Sequence, residues 1–557
     1  GKGKNISGIY PHLDDPNFNS KISTKKELQF KYDGKIVSKD ELEAYAEKLC
    51  NQKAFLKPHQ EFIKNFLSTQ TPYNGLLLYH GTGTGKTCAA IGITENMREY
   101  LKYSGIKKKI IIVASPNVQE NFKTQLFDQR KLTKTEKGWE LTGCSGDKLL
   151  TDINISQLGN ISKEKIVERI KKMIKKYYIF IGYTKFANYI QHVSKIPDSI
   201  KNKKKAIYNK LNKEFSESLI VIDEVHNIRP SSSNREAKYV SSELSRLVEN
   251  VKKIKLLFLS ATPMYNDSSE IIYLLNILNT NDNRSTISNS DIFDKENNLK
   301  ISSSGEEIGK KILQKKSIGY VSYVRGENPY VFPYRIFPKL FDLSKTYEDP
   351  LNQKPTTQFN GMPILQNLQF IDIFLNKLDS YQEYVYQLLI NNIKDGFNDE
   401  DMTKYEEAST FGYTVLQPPI HALNIVYPNK QISESSTIPE GFNLKLLYGK
   451  EGLDEIMSYS ISKNPQRKNK FDYKTKEFGK IFSQEEIGKY SSKLKHISET
   501  IINSEGIILI YSQYIDAGLI PVALTLEEMG ISRYGDKSKS LLKNPPSMKM
   551  DALSMTL

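Results

Sequence analysis

The run Gly81-Thr82-Gly83-Thr84-Gly85-Lys86-Thr87 constrains the fold of this chain more than any other feature. It lies between an apolar stretch, Gly75 to Tyr79, and an Ala/Ile-rich stretch, Cys88 to Met97. Glycines at these positions let the chain turn from a strand into a helix while its backbone N–H groups converge on one point, which suits phosphate. Lys86 supplies a cation for the β- and γ-phosphates and Thr87 a hydroxyl for Mg²⁺. Gly81 to Thr87, with Cys88 in the first helical turn, is therefore the predicted nucleotide-binding run. The strict eight-residue pattern begins with Gly, and His80 stands there instead.

Three further apolar runs, Ile110 to Ala114, Leu219 to Ile222 and Leu256 to Leu259, alternate with helical patterns, and each ends in polar or small residues. Buried parallel strands do this when they deliver loops to one sheet edge, so residues 55–280 read as a doubly wound α/β domain. Leu219 to Ile222 runs straight into Asp223-Glu224-Val225-His226. At a strand end, Asp223 can hold a metal ion and Glu224 can act as the base for an attacking water, with His226 placed to sense the γ-phosphate. Leu256 to Leu259 ends in Ser260-Ala261-Thr262-Pro263, a candidate coupling loop through Ser260 and Thr262. Upstream, the amphipathic stretch Phe55 to Leu67 contains Gln60, whose amide offers a donor and an acceptor to adenine.

The chain carries a net charge of +15, and its distribution says more than its size. Residues 161–215 hold fifteen Lys or Arg against four acids. Lys171, Lys172, Lys175 and Lys176, then Lys201, Lys203, Lys204 and Lys205, could neutralise phosphates, or could equally be solvated helix faces. The three cysteines, Cys50, Cys88 and Cys144, lack C-x-x-C spacing, so neither a disulfide framework nor a thiolate zinc site is expected and a reducing, intracellular setting is. No apolar run approaches the roughly 20 residues of a membrane span, so no membrane partner is expected.

Gln60, the Gly81–Thr87 run, the Asp223–His226 tetrad and Ser260-Ala261-Thr262, in that order, resemble the motifs of superfamily-2 helicases and translocases, whose two RecA-like lobes clamp ATP between them. The resemblance implies that Gln60 reads adenine, that Lys86, Thr87 and the DExH box Asp223 to His226 bind and hydrolyse ATP with Mg²⁺, and that Ser260 and Thr262 couple hydrolysis to movement. It puts Ser115-Pro116-Asn117 on the nucleic-acid backbone and Ser491 to Tyr514 at the start of a Swi/Snf-like second lobe. A narrower likeness, carried by His80 to Thr87, Glu224 to Asn227, Ser260 to Pro263 and Gly319 to Pro329, is to ATPases of nucleocytoplasmic large DNA viruses, of the poxvirus early transcription factor small subunit and nucleoside triphosphatase I type.

The resulting expectation is an N-terminal extension (1–50), a first RecA-like lobe (51–280), a linker (281–314), a mixed inserted region (315–487) and an incomplete second lobe (488–557). Its function would be ATP-driven translocation or unwinding on nucleic acid, duplex DNA in the first place, in viral transcription, as part of a longer chain. Partners would be viral RNA polymerase or transcription-factor subunits, in the cytoplasmic viral factory and the virion. The alternative is a nucleotide-gated DNA-binding subunit with little turnover. The Gln-x-x-Gly-Arg-x-x-Arg helix that supplies the family's arginine finger has no counterpart here. ATPase about a hundredfold below that of a longer chain is expected on that ground, unless Arg325 or Arg335 takes the role.

Overall fold

In the computed structural model, the described residues are 9–29, 41, 44, 56–136, 138–153, 161–230, 235–264, 267–294, 297–324, 337–357, 363–365, 368, 371–395, 412–432, 439, 441–460, 470–506, 508–533, 540–546 and 554–555. Much of the expected N-terminal extension (1–50) falls outside them. So do Arg325, Arg335 and the end of the Gly319–Pro329 run. The chain divides into two compact units, residues 1–334 and 335–557.

The first unit is a six-stranded parallel sheet of order β5-β2-β6-β7-β1-β8. Its strands are β1 (Gly75–His80), β2 (Ile110–Val113), β5 (Tyr178–Ile181), β6 (Leu219–Asp223), β7 (Lys255–Ser260) and β8 (Val321–Val324), while β3 (Leu132–Thr135) and β4 (Gly138–Leu141) form a separate hairpin. Every residue of β2 and β6 is buried, as the near-continuous Ile/Val/Leu runs require of strands covered on both faces. The helices that cover it include α1 (Phe18–Ser23), α2 (Pro58–Phe66), α3 (Lys86–Tyr103), α4 (Pro116–Leu126), α5 (Lys163–Tyr177), α6 (Tyr183–Ser194), α7 (Lys203–Phe215), α8 (Arg235–Asn250), α9 (Glu270–Asn281) and α10 (Ile308–Ser317). Helix α2 starts three residues later than the apolar pattern suggested, because Pro58 takes its first position, where a missing N–H costs nothing.

The unit is wider than the expected 51–280. Leu13, Phe18, Ile22 and Leu28 of the N-terminal segment belong to its core, with Phe18 edge-on to Phe66 and Tyr73. At the other end β8 pairs with β1 in parallel, from Leu77 opposite Val321 to His80 opposite Val324. The stretch expected as a linker (281–314) contains the fully buried Ile292, and α9 runs up to its start with Asn279 buried. Asn279 donates to the Leu275 carbonyl, so a polar residue closes a helix rather than opening a loop.

Cys88 and Cys144 correct the cysteine reading: they form a disulfide with Cα atoms 5.0 Å apart, across 56 residues of sequence. The hairpin β3–β4 and the loop after it bring Cys144 back to α3, a proximity that spacing along the chain could not show.

The second unit is described by itself. Its helices include α11 (Ser380–Asp395), α12 (Gly412–Asn424), α13 (Gly449–Ile456), α14 (Ser492–Ile502) and α15 (Ile520–Glu528), with an antiparallel pair of β9 (Met457–Ser460) and β10 (Lys470–Tyr473). Its main core gathers Ile425, Tyr427, Ile456, Phe482, Leu494 and Leu524. Within Ser491 to Tyr514, where the resemblance put the start of a second lobe, helix α14 is present, but the apolar run Ile508 to Tyr511 is in no strand among the described residues, and Leu509 and Tyr511 are 92% and 86% exposed. A strand exists only where a neighbour pairs its backbone, and no described element does so here. No described helix is long and apolar enough to cross a membrane.

Candidate nucleotide site

Because β1, β7 and β6 are adjacent and parallel, their carboxyl ends meet on one edge. Tyr79 lies opposite Ser260, and Leu259 opposite Asp223. The loop after β1 therefore faces the carboxylates after β6, with the Ser260 loop between them.

The β1–α3 loop is held by its own backbone. Gly83 and Gly85 have φ of 78° and 84°, a region favouring glycine, and Gly85 caps α3. A Cβ on Gly85 would also meet Gln60 Nε2, the movable end of that side chain, so it is the left-handed backbone that calls for glycine there. Gln60 Nε2 donates to the Gly85 carbonyl (3.0 Å) and its Oε1 accepts the Lys57 N–H (2.8 Å). Thr84 Oγ1 donates to the Gly81 carbonyl at 2.8 Å. Lys86 Nζ donates to the carbonyls of His80 (2.9 Å) and Gly81 (3.3 Å). Burial lowers the Lys86 pKa, opposed by the negative charges of Glu224 and Asp223. Thr87 and Cys88 follow in the first turn of α3.

His80 stands in place of the expected glycine, with its side chain fully buried and directed at β8. Nε2 lies 2.9 Å from Ser322 Oγ on β8, and burial pushes its pKa down to about 4, so the ring is neutral. His59 packs edge-on against it and places Nε2 3.2 Å from the Thr84 carbonyl.

At the end of β6 the backbone turns sharply, with Glu224 at φ 48° and ψ 55°. Its N–H donates to Asp223 Oδ1 at 2.9 Å. Asp223 is nearly inaccessible, and burial, reinforced by the Glu224 charge, pushes its pKa up to about 6 against that N–H and Lys86. His226 Nδ1 lies 3.3 Å from Glu224 Oε2 and 3.0 Å from Ser260 Oγ, which in turn accepts the Thr262 N–H at 3.0 Å. Burial lowers the His226 pKa, so the neutral ring is favoured. One chain of contacts thus runs from Glu224 to Thr262.

Thr87 and Asp223 offer a hydroxyl and a desolvated carboxylate, hard oxygen donors that suit Mg²⁺. No cluster of three or more His, Cys, Asp or Glu able to hold a metal by itself occurs among the described residues.

The structure also brings in residues that sequence reading passed over. Tyr183 follows Gly182 at the end of β5 and donates from its hydroxyl to the Asp223 carbonyl at 2.8 Å; Asn227 Nδ2 reaches the same hydroxyl at 3.4 Å. Arg229 pairs with Glu270 at 2.7 Å and donates to the His226 carbonyl at 2.9 Å. The only sequence signal for Tyr183 was the four-residue apolar run Tyr178 to Ile181, which follows the lysine-rich α5 directly.

Ser115, Pro116 and Asn117 lie at the end of β2, on the same edge one strand beyond β6, with Ser115 capping α4 and Pro116 in its first position. Lys201, Lys203, Lys204 and Lys205 are all exposed around the start of α7, where Lys203 pairs with Asp198 at 2.6 Å. No described contact ties these lysines to the loops at the sheet edge.

Compared with proteins already known, residues 52–265 match the family described as type III restriction enzyme, res subunit. The chain is 29% identical over 360 residues to a presumed ATP-dependent RNA helicase of Acanthamoeba polyphaga mimivirus, covering 63% of this chain and 54% of that one. A second such protein of the same virus is 27% identical over 350 residues, covering 59% and 28%. An early transcription factor large subunit homolog of African swine fever virus is 23% identical over 337 residues, covering 50% and 29%. The chain thus spans about half the length of the first of these relatives and less of the others.

Proposed function

We propose that this chain, whose first unit is a superfamily-2 helicase-type ATPase lobe, hydrolyses ATP to drive movement on nucleic acid. The observation that carries the reading is the shared edge of β1, β7 and β6. There Lys86 lies close enough to Asp223 and Glu224 to feel their charges, and His226 joins Glu224 to Ser260.

The chemistry follows from these residues. Incoming phosphates meet the backbone N–H groups at the start of α3 and draw Lys86 Nζ off the His80 and Gly81 carbonyls, exchanging neutral acceptors for charged ones. Gln60 turns its amide from Gly85 to the adenine edge. Thr87 and Asp223 would hold Mg²⁺, which supplies charge neutralisation across the β- and γ-phosphates when bound. Glu224 accepts a proton from the attacking water as its oxygen bonds to γ-phosphorus and the bond to the bridging oxygen breaks. His226 touches both Glu224 and Ser260, so the loss of phosphate is felt at the Ser260-Ala261-Thr262 turn. The Ser115–Asn117 turn would meet the nucleic-acid backbone.

The nucleic acid is duplex DNA in this reading, and the setting is viral transcription, supported by the transcription-factor relative; the helicase relatives' names make duplex RNA the competing substrate. Phosphate release should be measured with ATP and Mg²⁺ alone, with duplex DNA and with duplex RNA. Stimulation by DNA supports the reading, and stimulation by RNA alone replaces its substrate. Tight ATP binding with no turnover under any condition would leave a nucleotide-gated binding subunit instead.

A further inference from the structure

The disulfide sits where it can control that site. Cys88 is two residues beyond Lys86, in the same first turn of α3 whose N–H groups face the phosphates, and Cys144 lies on the loop after β4. That loop is itself anchored: Ser145 Oγ donates to the Leu126 carbonyl (2.9 Å), Asp147 Oδ1 accepts the Leu141 N–H (2.8 Å), and Lys148 reaches Asn96 Oδ1 (3.1 Å) and Glu99 (3.2 Å) further along α3. The cross-link therefore fastens the first turn of α3 to a loop that is held in turn by α4 and by later turns of α3. Neither cysteine is fully buried, and the loop borders an open cavity of about 480 Å³ reaching Lys64 and Gly92, which gives a small thiol access.

In this bonded state the polar groups expected to receive nucleotide are occupied within the protein. Gln60 spends its donor on Gly85 and its acceptor on Lys57, and Lys86 spends its ammonium on His80 and Gly81. Both side chains must leave these partners for ATP to bind, and a cross-link in the first turn of α3 limits how far that turn can yield as they do.

We propose that Cys88 and Cys144 form a thiol–disulfide exchange site that latches the nucleotide loop in its self-bonded state when oxidised. The inference rests on the ATP-site reading above. The step balances with a low-molecular-weight thiol of the glutathione class. Its thiolate attacks one protein sulfur, the Cys88–Cys144 bond breaks and a mixed disulfide forms. A second small thiol then displaces the remaining protein thiolate. The two protein sulfurs gain two electrons and two protons, and the small thiols leave as their disulfide. A coupling of this kind is commonly fivefold or more in affinity.

The test uses the full chain. Thiol titration in denaturant should find one free thiol per chain, Cys50, without reductant and three after treatment with reduced glutathione, as there are three cysteines in all. A fluorescent ATP analogue should then bind at least about fivefold more tightly to the reduced chain. Cys144→Ser, which leaves the nucleotide loop intact, should match the reduced chain under both conditions. Three free thiols in the untreated chain, or equal affinity in both redox states, would overturn the latch alone. No nucleotide binding in either state would overturn the ATP-site reading and the latch with it.

Discussion

His226 Nδ1 sits 3.0 Å from Ser260 Oγ and 3.3 Å from Glu224 Oε2, so one imidazole touches both the base candidate and the adjacent strand's exit loop. Ser260 also accepts the Thr262 N–H, which fixes the turn after β7. This is an arrangement in which a change at the γ-phosphate can reach a neighbouring loop without passing through solvent. Ser260→Ala removes the link and leaves Lys86, Asp223 and Glu224 in place. Nucleotide affinity should stay within about twofold, while stimulation of ATPase by nucleic acid falls about tenfold or more, in the range of typical site-to-site couplings. Steady-state ATPase with and without duplex DNA checks it; unchanged stimulation would deny the link a coupling role.

Lys86 and Glu224 should separate binding from turnover. Lys86→Ala removes the cation that faces the phosphates, and a titration with a fluorescent ATP analogue in reductant should show binding lost. Glu224→Gln keeps shape and hydrogen bonding but cannot take a proton, so it should bind normally while ATPase falls about a hundredfold or more, the scale of general-base catalysis. Equal loss of affinity in both variants would remove Glu224 from the role of base.

Most of this edge was legible before the structure, because a phosphate loop and a carboxylate pair each carry their own local signal. Lys86, Asp223, Glu224, His226, Ser260 and Thr262 all meet, as their positions at the ends of parallel strands require. What was not legible depended on partners distant in sequence. β5 runs directly out of the lysine-rich α5 and β8 lies far along the chain from β1, and both exist because β2 and β1 pair with them. Tyr183, Ser322 and the Cys88–Cys144 pair come to the site through those pairings and through the β3–β4 hairpin. Conversely, Ile508 to Tyr511 has the composition of a strand and forms none among the described residues, since composition does not supply a neighbour.

Replacing Lys201, Lys203, Lys204 and Lys205 together by Gln tests whether the exposed start of α7 meets nucleic acid. Lys203 already has Asp198 as partner, so three lysines remain to be credited. Each phosphate contact contributes about 0.9 to the slope of log K against log salt, and the slope on duplex DNA should fall by up to about 3. Fluorescence anisotropy at several salt concentrations measures it, and an unchanged slope would make the cluster a solvated helix face.

Arg98 is the largest fully buried side chain among the described residues, and its charge is held on α3 by Glu95 (2.7 Å) and by Asp152. The Tyr178 hydroxyl completes the set with a 2.6 Å hydrogen bond to Glu95. Removing one partner from such a cluster strands the others, at a cost of about 3–5 kcal/mol. Arg98→Met should show this in urea unfolding followed by the fluorescence of Trp139, the sole tryptophan, which reports on the first unit. Adding Glu95→Gln to Arg98→Met should recover part of the loss. A loss below about 1 kcal/mol, the scale of an exposed pair, would show that the cluster is solvated.

Lys255 gives the first unit a pH dependence whose sign can be worked out. It opens β7 with Nζ donating to the Tyr73 carbonyl at 2.7 Å, and burial holds its pKa down to about 8, against the attraction of Asp282. Its ordinary value in an unfolded chain is about 10.4. Between these two values the unfolded chain keeps a proton that the folded chain has released, so stability rises with pH through this window and levels off above it. Below about pH 8 both states are charged and the full cost of burying the ammonium is carried. The displacement is worth up to about 3 kcal/mol. Other groups titrate in the same range, so the measurement is a difference: urea midpoints from Trp139 fluorescence at pH 7.5 and pH 9.5, for the natural chain and for Lys255→Met. The natural chain should gain relative to the variant as pH rises. Parallel curves would mean that the folded chain keeps the Lys255 proton, and that water or a carboxylate reaches it inside the sheet.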